Sequence, residues 1–171
     1  MSFVPAAVPF DPYVEEWRSR GIPRLAKQLC DVGHFLGDLG VQMRFGELTH
    51  APLRLLRFQI IGGSVECDWL ARLPNPAAAD LTVRDRYIAH QALKDAIDVR
   101  SLLFSTLPQA DSAELRAFRE SANHTHELII KGSTQRNDNT ARGVHSLSVR
   151  AKILGFRFRL EADTLQSIAL D

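Results

Sequence analysis

Six histidines, two cysteines and an arginine-rich C-terminal third are the side chains from which this sequence could build a reactive or binding site. His124 and His126 are two residues apart, so on a strand they share a face, and His145 is the next imidazole along the chain. Three imidazoles converging on one centre would suit zinc and a hydrolytic reaction. A hairpin closing between Gly132 and Gly143, however, sets Ile130 opposite His145. His126 then lies four strand residues away, roughly 13 Å. The expectation is therefore no metal, with His124, His126 and His145 the residues to check. His126-Glu127 begins like a metalloprotease helix, but the residue four beyond His126 is Ile130.

Nucleophilic and nucleotide chemistry find less support. No Gly-x-Ser-x-Gly elbow occurs. Lys131-Gly132-Ser133-Thr134 transposes the Lys and Gly of a phosphate loop, and no helix is expected after it. Cys30 and Cys67 fall on segments expected to be buried, where free cysteine acts as a small hydrophobe. Glu66, Asp68, Asp95 and Asp98 fall on faces expected to be solvated. No cofactor is implied, and nothing in the sequence points to an enzyme.

Charge offers a second chemistry. Between Lys131 and Arg159 seven basic residues face Asp138 alone, within a chain whose net charge is only +1. Arg136, Arg142, Arg150, Lys152, Arg157 and Arg159, beside a polar loop over residues 132–143, are candidates for gripping a phosphate-bearing ligand or nucleic acid. Of 21 basic residues 17 are Arg, a skew that suits forked recognition of phosphate and equally a GC-rich genome.

The third chemistry is apolar contact. Leu56, Phe58 and Ile60 line one side of a strand, and Leu53, Leu55 and Ile61 the other. A strand apolar on both sides needs cover on both. Leu53, Leu55 and Ile61 are thus interface candidates for a second copy or a protein partner.

These side chains depend on elements that the spacing of apolar residues outlines. Residues 1–10 read as an extended segment, and Asp11-Pro12 caps a short helix to about Arg20. Pro23 opens a second helix with a stripe of Leu25, Leu29, Val32, Leu36 and Leu39, ending near Gly40. A strand over about 41–48 follows. Gly62-Gly63 then closes a hairpin that pairs Ile60 with Val65, Phe58 with Cys67, Leu56 with Trp69 and Arg57 with Asp68.

A helix from Thr82 to about Phe104 comes next. Asp111 with Glu114 starts a shorter one carrying Leu115 and Phe118. After Ala122 the period becomes two, predicting a strand through Ile130. A second strand carries Leu147, Val149, Ala151 and Ile153, with a bulge near Gly155. Asp163 and Gln166 suggest a short terminal helix.

The class is α+β: an antiparallel sheet of about five strands covered by helices, in the order αα-βββ-αα-ββ(α), within one domain spanning 1–171. That order resembles the layout of small secretion-chaperone-like and other α/β-sandwich binding domains. Two cysteines, no basic leader and no apolar run of about 18 residues point to a cytoplasmic chain without membrane contact. The function expected is binding: foremost a protein partner or self-association, next nucleic acid or a phosphate-bearing ligand, and last a metal-dependent hydrolase around His124 and His126.

Overall fold

Glycine sets the first turn of the sheet. Gly62 takes φ +59°, a left-handed conformation open to glycine, and reverses the chain between β1 (Arg54–Ile61) and β2 (Ser64–Leu70). Ile60 pairs with Val65, Phe58 with Cys67 and Arg57 with Asp68, as the sequence pattern requires. The register then shifts. Leu55, not Leu56, lies opposite Trp69, so Leu56 is a bulge and the side chains before it change faces.

The computed structural model describes residues 22–42, 52–73, 81–136 and 141–169. Around the hairpin it places α1 (Ile22–Gln42), α2 (Leu81–Thr106), β3 (Ser112–Glu120), β4 (His126–Gln135), α3 (Leu147–Ile153), β5 (Phe156–Arg157), β6 (Arg159–Glu161) and β7 (Thr164–Gln166). The expected segment 1–10, the helix over 11–20 and most of the strand over 41–48 lie outside the described residues. Val41 and Gln42 end α1, so this helix runs past Gly40.

The class is α+β, but the sheet is mixed. Its order is β1-β2-β3-β4-β5, with β2 and β3 parallel and every other pair antiparallel. A parallel pair needs a crossover, which α2 supplies. Three expectations give way here. Residues 112–120 form a strand, not a helix, because Ala113, Leu115 and Ala117 alternate into the core. Residues 147–153 form a helix, not a strand, with Ala151 buried and Val149 and Ile153 exposed. The chain end is a second small sheet, β6 with β7, not a helix. The element order that resembled chaperone-like domains is thus replaced by α-ββ-α-ββ-α followed by short strands.

One face of the large sheet carries the core. Val65, Cys67 and Trp69 of β2, Ala113, Leu115 and Ala117 of β3, and Ile130 of β4 are buried with Ala92, Ala96, Val99 and Leu103 of α2. Phe35 of α1 joins them by stacking on Phe58, ring centroids 5.1 Å apart. Alternation sends Glu66, Asp68, Glu114, Arg116, Lys131 and Ser133 to the opposite face. There charges interleave across three strands: Arg57 meets Glu66 at 2.9 Å, and Arg116 meets Asp68 at 2.7 Å.

One buried carboxylate is held by partners from within and outside its own helix. Asp95, fully buried on α2, accepts two hydrogen bonds from Arg72 at 2.8 and 2.5 Å and one from Gln91 at 2.7 Å. The expectation of a solvated Asp95 is therefore wrong, and so is that of a solvated Asp68, which is buried against Arg116. Asp98 is partly exposed beside Lys94.

Candidate interaction surface

The apolar candidates resolve through the bulge at Leu56. Leu53 and Leu55 turn inward, Leu53 buried and Leu55 packed on the core. Of the three, Ile61 alone stays exposed, at 54%. Within the hairpin β2 is mostly buried, whereas β1 is only half-covered, with Phe35 of α1 stacked on Phe58.

The helix leaves a different surface open. Among its described side chains Phe35 and Leu39 are buried, with Val32 partly buried beside them. Leu29 is 65% exposed and Leu36 42%, so the expected single stripe is split along its length. At 3.6 residues per turn Leu29 and Asp38 point in opposite directions. Asp38 and His34 border a cleft shared with Asp98, Ser101 and Ser105 of α2, so α2 lies on their flank. Leu29 and Leu36 therefore occupy the flank turned away from α2. Between and beside them are Gly33 and Gly37, where a Cβ would meet nothing within 4 Å. The result is an open furrow bordered by leucines.

Cys30 sits next to this flank and is exposed, against expectation, with its Sγ 3.9 Å from Nε2 of His34. Cys67 is buried as expected. Burial foremost, and the neighbouring Asp68 charge after it, push its thiol up to about 12, so it is inert as a nucleophile.

The basic candidates separate. Arg136 caps α2: its guanidinium donates to the carbonyls of Ala110, Phe104 and Leu107 at 2.9, 2.6 and 2.5 Å and lies over the Phe104 ring. The expected loop over 132–143 begins later, because β4 runs through Gln135, and 137–140 lie outside the described residues. Arg142 and Arg150 are exposed, and Arg159 pairs with Glu161. Lys152 and Arg157 come together, joined by Lys131.

The histidines do not converge. His124 and His126 flank the exposed β3–β4 turn, where His124 has φ +57° and its Nδ1 lies 3.0 Å from Glu120. That hydrogen bond holds the Glu120 carboxyl below its usual range. His145 instead borders a cleft with His90 and Arg86. Among the described residues no three or more His, Cys, Asp or Glu side chains form a metal-holding group. No helix there is long and apolar enough to cross a membrane.

Sequence periodicity missed the open flank of α1 because a continuous apolar stripe looks the same whether one element covers it or two. The glycines at 33 and 37 were the available signal. No family model, curated protein or solved structure matches the chain.

Proposed function

We propose that this domain is an interaction module that pairs with a second copy of itself through the open flank of α1. The observation that carries this reading is the exposure of Leu29 and Leu36 beside an unfilled glycine furrow. Leucines aligned on one helix flank beside two glycines offer a surface that another element can cover.

Self-pairing follows from the spacing. Leu29 and Gly37 are equally distant from Gly33. Two antiparallel copies crossing at Gly33 set Leu29 of each into the space at Gly37 of the other, an isologous contact. Small residues at the crossing let the two backbones approach closely.

Native mass spectrometry and light scattering test this directly. The expected species has twice the 19.1 kDa chain mass. Leu29→Glu and Leu36→Glu, both on exposed positions, give a folded monomer with unchanged circular dichroism. A wild-type monomer at high micromolar concentration rejects the proposal, as does a dimer unaffected by both substitutions.

A further inference from the structure

A separate site lies at the far edge of the sheet. Lys131 on β4 pairs directly with Arg157 on β5, so two cations sit opposite each other on the outer face. Like charges in that position destabilise a sheet. Lys152, at the end of α3, borders the same cleft of about 520 Å³ with Ser133 and Glu114. Across β1, β2 and β3 the same face interleaves its signs, with Arg57 on Glu66 and Arg116 on Asp68. At β4 and β5, three cations stand against one carboxylate, a local balance of +2. None of the three makes an ion pair among the described residues, although the Lys152 ammonium lies 5.6 Å from the centroid of the Phe158 ring.

The cleft is rigidly built. Gly155, at φ +89°, connects α3 to β5 and presses so closely on the Ser133 carbonyl that a Cβ would overlap it. Gly132 is likewise filled by the Phe156 ring, which would collide with any side chain there. These contacts fix β5 and the end of α3 against β4, and with them the spacing of the cations.

We infer that this cleft binds a small phosphate-bearing ligand, held by Arg157, Lys131 and Lys152 with the Ser133 hydroxyl as a further donor. A phosphate dianion matches the local balance, and the Arg fork and Lys point charges suit its oxygens. The volume falls in the range of small-molecule sites, roughly 300–1,000 Å³. Single-stranded nucleic acid fits less well, because Phe156 is buried and the half-buried Phe158 ring packs on the core with Lys152 over it, leaving no open stacking platform.

Inorganic pyrophosphate, titrated into the full chain by calorimetry and by thermal melting, is the test. Wild type binds and its Tm rises. Lys131→Gln and Arg157→Gln each weaken binding by about tenfold, the loss of one charge-assisted contact. Without pyrophosphate neither variant melts below wild type, since each relieves the cross-strand repulsion. Arg150→Gln, on the exposed surface of α3, binds like wild type. The inference is overturned if wild type shows neither heat nor Tm shift. Equal weakening by Arg150→Gln, an equal response to citrate, or tighter binding of a single-stranded oligonucleotide would overturn it too.

Discussion

Asp95 has no contact with solvent, so its oxygens depend on Arg72 and Gln91. Removing one member of such a pair strands the other in the core. Asp95→Ala should cost about 3–5 kcal/mol, and replacing both partners by apolar residues should recover much of that. Urea midpoints at constant slope check both. The two cysteines offer a sharper contrast. In the native protein a thiol reagent should label Cys30 promptly and Cys67 only on unfolding. The buried Cys67 thiol holds its proton to about 12, whereas its ordinary value is 9.0. Between those values the unfolded chain releases the proton first, so stability falls as pH rises through this window. Cys67→Ala should flatten that fall in urea melts recorded across the same range. Cys67 was legible in the sequence from its place opposite Phe58. Asp95 was not, because its partner is 23 residues away and helix periodicity cannot register a pair buried between elements.

The same limit governs whole elements. The Gly62-Gly63 hairpin was legible because turn chemistry, alternation and cross-strand pairs agree over several residues. Its bulge at Leu56 was not, since apolar residues at 55, 56 and 58 fit either register. Residues 147–153 span only seven positions, too few to separate a period of two from one of 3.6. At 112–120 a cap-like Asp111 and Glu114 outweighed the alternation of small residues, although Ala113 and Ala117 are the ones that fit beneath α2.

Elements also carry their own predictions. Arg136→Ala removes three hydrogen bonds from the C-terminal end of α2 and its following turn, and should cost about 1–3 kcal/mol in chemical denaturation. Ala162 and Asp163 turn β6 into β7 with φ of 48° and 63°. That turn favours Asn or Gly, so Ala162→Asn should stabilise by about 0.5–1 kcal/mol. Gly33→Ala and Gly37→Ala meet open space in the monomer and improve helix propensity by about 1 kcal/mol each. If α1 pairs as proposed, the same changes weaken the dimer, and sedimentation at several concentrations separates the two effects.

At the scale of the molecule, reading 112–120 as a helix hid the crossover and made the sheet look wholly antiparallel. Restoring β3 yields two hairpins, β1–β2 and β3–β4, each of which can assemble from neighbouring residues. The seam between them joins residues 48 positions apart, with Arg116 reaching Asp68 across it. Closing so long a stretch of chain is slow compared with forming either hairpin. Refolding should therefore be limited by the meeting of β2 and β3. Leu115→Ala should slow refolding in stopped-flow fluorescence, whereas Ala162→Asn should act mainly on unfolding. Until the seam closes, β2 and β3 each present a bare edge carrying Trp69 or Leu115. In that interval a concentrated solution joins chains to one another as readily as it joins each chain to itself, so refolding yield should fall as protein concentration rises.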